Sequence, residues 1–178
     1  VTNDRGLAIH TGVDLRPEGE KRPDWCKNAE KPVAKAIREE VKHAKLFARV
    51  AIHEDDANPK KYSEIVQFRI RKFECYDQAG FLEAAGREVL RYQGVRGALI
   101  AASIPANYIA EVEIEFEILD ATRKQSVFVK SYSANRTITL NGYQSSKPKV
   151  QATSEALESV VTQFLGDLAQ IQLSQRTP

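Results

Sequence analysis

Apolar and acidic residues alternate without a break from Ala110 to Ile118 (Ala-Glu-Val-Glu-Ile-Glu-Phe-Glu-Ile). A period of two marks a strand with one dry and one wet face. The pattern runs on through Leu119-Asp120-Ala121, breaks over Thr122 to Gln125, and resumes from Ser126 to Tyr132. It predicts a hairpin whose outer face carries Glu111, Glu113, Glu115 and Glu117, in a sheet covered on one side only.

The rest of the chain supplies partners for that hairpin. Gly6 to Leu15 reads as one strand with Leu7, Ile9, Val13 and Leu15 on alternating positions, ended by Arg16-Pro17. A polar loop follows to Lys31, and Pro32 suits the first turn of a helix. Val33, Ile37, Val41 and Ala44 repeat at helical spacing, with Lys35, Arg38, Glu39 and Lys42 facing water. Leu46 to Ile52 is a second strand and His53 to Pro59 a turn. Tyr62 to Tyr76 is a third strand that buries Val66, Phe68 and Ile70 and exposes Gln67, Arg69 and Arg71. Phe81 to Tyr92 reads as a short helix, and Asn141 to Pro148 as a loop. Leu157, Val160, Val161, Phe164, Leu165, Leu168 and Ile171 mark a final amphipathic helix. The order predicts an α/β two-layer sandwich, a mixed sheet of about five strands covered on one face by two main helices, as a single domain over residues 1–178. If the third strand lies beside the acidic one, Arg69 and Arg71 meet the glutamate row, at about 0.2–1 kcal/mol per cross-strand pair.

Composition narrows the function. A net charge of +2 over 178 residues offers no field for nucleic acid, and none is expected as a partner. The longest uncharged stretch, residues 97–110, falls short of the roughly 20 residues of a spanning helix. The chain opens at Val1 and has no Met, so an upstream segment is expected to have been removed, either a cleaved secretory signal or a trimmed region. Cys26 and Cys75 fit no zinc or redox pattern. They would form one structural disulfide in an oxidising compartment and remain thiols in the cytosol.

Enzyme chemistry finds no foothold. Glutamates two apart on a strand lie about 6.5–7 Å apart on one face, a spacing open to a glycosidase pair, but a regular exposed row lacks the cleft and the two unlike environments that such a pair needs. His10, His43 and His53 share no ligand spacing, and neither a metal nor another cofactor is expected. No nucleophile elbow, Walker loop, dinucleotide fingerprint or zincin motif occurs. The candidate site is instead the glycine-punctuated apolar run Gly94 to Pro105. Val95, Leu99, Ile100 and Ile104 would form its strip, and Arg87, Arg91 and Arg96 a cationic collar, suiting an acyl chain with an anionic head or a partner's groove. The alternative is a buried segment that closes one end of the sheet.

Several phrases, in order, resemble the auxiliary lipoproteins of ABC-type transport systems, with a broader similarity to the amino-terminal domain of the Tol-system propeller protein. They are Asp14-Leu15-Arg16 (D-x-R), Phe47-Ala48-Arg49-Val50 (F-x-x-V), Ile65 to Phe73 (similar to I-x-F-x-I-x-x-F), the small-residue run Gly94 to Pro105, Asp120-Ala121-Thr122-Arg123-Lys124, and the closing helix. The chain departs from the pattern in lacking the lipid-accepting amino-terminal Cys, which would lie upstream of Val1. It also carries Arg123-Lys124-Gln125 where a Gly is usual. The resemblance implies a non-enzymatic periplasmic domain, tethered to the outer membrane by an upstream lipid anchor. Such a domain would serve as an accessory component that binds an envelope protein partner or a lipid-like ligand. A cytosolic scaffold that recruits a partner strand at a sheet edge is the competing expectation.

Overall fold

The computed structural model describes residues 5–17, 27–52, 62–77, 105–141 and 147–174. In chain order the elements are β1 (Gly6–Ile9), β2 (Val13–Asp14), α1 (Glu30–His43), β3 (Arg49–Ile52), β4 (Glu64–Asp77), β5 (Pro105–Asp120), β6 (Ser126–Asn141) and α2 (Lys147–Ser174). The strands form one six-stranded mixed sheet in the order β3-β1-β4-β5-β6, with β2 also paired to β4. β1 runs parallel to both β3 and β4, with Leu7 registered on Val50 and on Glu64. The two helices pack on the sheet, giving the α/β sandwich that the alternating patterns predict.

The expected first strand is two strands. Its break falls at residues 10–12, where a Cβ on Gly12 would sit inside the Phe68 ring. Beyond it the phase inverts: Val13 and Leu15 are 55% and 48% exposed, while Arg16 is buried. Three further boundaries move. α1 stops at His43, so Ala44 is an exposed cap rather than a core residue, and Lys45 takes a left-handed φ of 52° as the chain leaves the helix. β6 extends to Asn141, and α2 begins at Lys147, where the sequence suggests a loop. Small residues carry the early turns of α2: Ala152 and Ala156 are wholly buried, a weaker apolar signal than the large residues that follow.

Two compact units divide the described chain. In the first, residues 1–73, 112–134 and 157–178, the core is aromatic. Phe116 of β5 stacks on Phe164 of α2 with centroids 4.2 Å apart and rings 8° from parallel, and Tyr132 meets both edge-on at 5.8 and 6.2 Å. Val33, Ile37 and Val41 of α1 are fully buried. In the second unit, residues 74–111 and 135–156, Tyr108 is buried with the Lys149 ammonium 6.0 Å from its ring centre.

Candidate functional site: the open face of the sheet

β4 and β5 are neighbours, and their alternation places buried residues on one side and charges on the other. Val66, Phe68 and Ile70 face the core with Val112, Ile114, Phe116 and Ile118. On the opposite side Arg69 donates from Nη1 to Glu115 Oε1 (2.8 Å) and from Nη2 to Glu117 Oε2 (2.9 Å). Arg71 Nη2 donates to Glu115 Oε2 at 2.5 Å. The contacts descend along β5 as they ascend β4, as antiparallel strands require. Here the expectation from sequence holds: the arginines offset the self-repulsion of the glutamate row. The hydrogen bonds from Arg71 and then Arg69 hold the Glu115 carboxyl below its ordinary range. Those to Glu115 and Glu117 push Arg69 up. Glu113 makes no ion pair with a described residue, which leaves the face acidic between the arginines and β6. Within the second unit, the Tyr76 hydroxyl donates to Glu111 Oε1 at 2.9 Å.

One border of this face is set by Asp14 and Arg16. Val13 registers beside Arg69, and Asp14 beside Ile70. Arg16 grips Asp14 with both arms of its guanidinium, Nε to Oδ1 at 2.8 Å and Nη2 to Oδ2 at 2.6 Å. Nη1 donates to the Phe73 carbonyl at 3.0 Å, and the guanidinium lies 5.7 Å from the centre of the Phe73 ring. The D-x-R phrase and the final Phe of I-x-x-F are thus one physical unit. Two positions separate Ile70 from Phe73 where alternation calls for one, so the strand slips phase there. Phe73 turns inward and its carbonyl meets Arg16.

The far border is β6, the last strand of the sheet order. Val127 and Val129 are 48% and 55% exposed. Lys130 Nζ and the Tyr132 hydroxyl both donate to Asp167 Oδ2 at 2.6 Å, tying β6 to α2. Burial first, and then the Asp167 contact, push the Tyr132 hydroxyl well above its ordinary range. At the start of β4, Glu64 is 6% exposed; its Oε1 accepts from Gln172 Nε2 at 2.7 Å, and its Oε2 is buried without a hydrogen-bond partner. Burial raises its carboxyl above the usual value.

Arg87, Arg91, Val95, Arg96, Leu99, Ile100 and Ile104 lie outside the described residues, as does Cys26, and with it the pairing proposed for Cys75, which is half-buried on β4. His10 is exposed in the break after β1, and His43 is exposed at the end of α1. The residues that sequence reading missed are Arg16, Glu64 and Gln172. Each is a polar side chain in a buried place, and for Arg16 alone a signal existed in the D-x-R phrase.

No protein-family model and no curated protein matches the sequence. Solved structures of bacterial proteins share its fold. A DUF330-family protein from Xanthomonas campestris superposes with a TM-score of 0.59 at 13% identity, over 98% of this chain and 90% of that one. A Helicobacter pylori protein taken as a neuraminyllactose-binding hemagglutinin homologue gives 0.55 at 6% identity over 98% and 90%. The hypothetical protein CT253 from Chlamydia trachomatis gives 0.54 at 8% identity over 92% and 97%. At these identities the likeness is one of fold.

Proposed function

We propose that this chain is a non-enzymatic accessory domain of a bacterial envelope lipoprotein, which holds a protein partner on the open face of its sheet. The observation that carries the reading is the face itself. Arg69 and Arg71 are neutralised by Glu115 and Glu117, Glu113 is left over, and exposed Val13 stands at the border. Charged groups held in place beside exposed apolar ones suit recognition of a surface. The shared fold with bacterial proteins and the ordered phrases from Asp14-Leu15-Arg16 to Asp120-Ala121 support the envelope setting. Periplasmic residence and attachment to the outer membrane are part of the proposal, as what the same resemblance implies. A lipid-like ligand held by the 94–105 run is compatible with it.

The intact mass of the full-length gene product from its own cells tests the setting. A mass increment for a lipidated amino-terminal Cys, with a two-hydrogen deficit for a Cys26–Cys75 bridge, supports it; an unmodified, reduced chain refutes it. A photocrosslinker at Glu113 tests the face: one defined partner whose capture is lost in Arg71→Glu supports the site, and undiminished capture sinks it. A second reading, a cytosolic scaffold that adds a partner strand at a sheet edge, is favoured by the exposed valines of β6 and gains if the chain is unmodified.

A further inference from the structure

The outward side of α1 carries a row of cations, most of which have no carboxylate partner among the described residues. Lys31, Lys35, Arg38 and Lys42 follow one another at intervals of four, three and four residues, so they share one stripe about 16 Å long. Lys45 continues it just past the helix end. Of the three glutamates of the helix, Glu30 and Glu40 fall well off the stripe at 100° per residue; Glu39 stands beside it, about 40° from Lys35, where Arg38 first, and then Lys42 and His43, hold its carboxyl below the ordinary range. Lys31, Lys35, Lys42 and Lys45 are exposed, and none makes a salt bridge with a described residue. Arg38 alone is paired, to Glu39 at 2.7 Å. On the sheet, by contrast, Arg69 and Arg71 are matched by carboxylates.

Helix formation does not explain the stripe. Lys42 and His43 suit the negative end of the helix dipole, but Lys31 stands in the first turn, where that dipole disfavours cations, and Lys35 gains nothing from it. Nor does the stripe resemble a shaped protein interface, which concentrates aromatic and arginine anchors. None of the exposed large apolar residues lies on α1, and the helix's own apolar side, Val33, Ile37 and Val41, is buried in the core. Flexible point charges without an apolar anchor fit a diffuse anionic plane.

We infer that α1 is the surface by which this domain lies against anionic lipid headgroups. It is held there electrostatically and inserts nothing. The occupant is an acidic bilayer, because charge is the only complementarity that the stripe offers and four to eight clustered cations are what such surfaces select. This surface is separate from the open face of the sheet and stands whether or not a partner binds there.

The test is sedimentation of the chain with vesicles of equimolar phosphatidylcholine and phosphatidylglycerol, beside pure phosphatidylcholine. Wild type should bind the acidic vesicles at low salt, ignore the neutral ones, and be released as the Debye length shrinks. Each lysine neutralised should weaken binding about fivefold, so Lys35→Gln with Lys42→Gln should weaken it about twenty-five-fold. Both substitutions are on exposed positions, and an unchanged circular dichroism spectrum shows that the fold is intact. Glu113→Arg, which perturbs the sheet face, should not weaken vesicle binding. Equal binding to neutral vesicles, binding that ignores salt, or full retention in the double variant would overturn the inference. So would binding to soluble polyglutamate without binding to vesicles, which would assign the stripe to an acidic protein.

Discussion

Replacing Arg16 by Ala removes a guanidinium whose side chain is 3% exposed and which satisfies both oxygens of a carboxylate 14% exposed. The loss is more than one surface pair. Asp14 is left as a charge taken mostly out of water, the Phe73 carbonyl loses its donor, and the Phe73 ring loses the cation beside it. Breaking a buried pair from one side costs about 3–5 kcal/mol, and here Asp14 would give up both of its guanidinium hydrogen bonds while still mostly out of water. Replacing both partners by apolar residues of similar volume is often near neutral. Arg16→Ala should therefore lower the unfolding free energy by about 3–5 kcal/mol, and Arg16→Met with Asp14→Leu by less than the single variant. Arg16→Lys should recover part of the loss, since a point charge cannot bond two carboxylate oxygens and a carbonyl in one plane. Urea titration at constant ionic strength reads all three. A single variant within about 1 kcal/mol of wild type, or a double variant worse than the single, would refute the buried-pair reasoning; the bond would then be an exposed contact of ordinary weight.

Glu64 gives a pH prediction of fixed sign. Its folded value lies above its unfolded one, so its stabilising share is complete below about pH 4 and is lost as pH rises through the folded value. Glu64→Gln should match wild type in acid and become the more stable chain toward neutrality; urea midpoints across pH that show the opposite slope exclude the idea. Gly12→Ala should cost about 1–3 kcal/mol, since the methyl must displace the buried Phe68 ring, and a thermal shift indistinguishable from zero would mean that the ring moves freely. Lys124 holds φ at 53° in the β5–β6 turn, where its N–H donates to the Asp120 carbonyl and Asp120 N–H donates to the Gln125 carbonyl. That is a bulge that favours glycine at this place, so Lys124→Gly should stabilise the hairpin by about 1 kcal/mol; a lower melting temperature would contradict it.

The parts of the fold legible in the sequence are those where burial follows a period. β5 alternates over its acidic run because one side meets the aromatic core and the other meets Arg69 and Arg71, so the strand, its partner and the ion pairs could all be anticipated. The late turns of α2 were equally plain, because large apolar residues recur at helical spacing and Phe164 must find a ring to pack on. Legibility failed where a polar side chain takes a core position. A scan for apolar residues gives Val13 and Leu15 to the core and Arg16 to the surface, yet the residues at 14 and 16 form the inward pair.

That inversion has a structural cause and a consequence for the site. Gly12 lets the Phe68 ring fill the place of a side chain, the strand breaks, and the next strand restarts out of phase. A charge then points inward and needs Asp14 and the Phe73 carbonyl to be tolerable. In exchange for that internal pair, Val13 and Leu15 are pushed to the border of the open face beside Arg69. The exposed apolar edge of the candidate site is therefore a product of the same phase inversion that buries Arg16. Substitutions that relieve the inversion should alter what the face recognises as well as how firmly the sheet holds. If the apolar double variant at positions 14 and 16 keeps its stability but loses the partner captured at Glu113, the pair is retained for the shape of that border; if both survive, the border is incidental to binding.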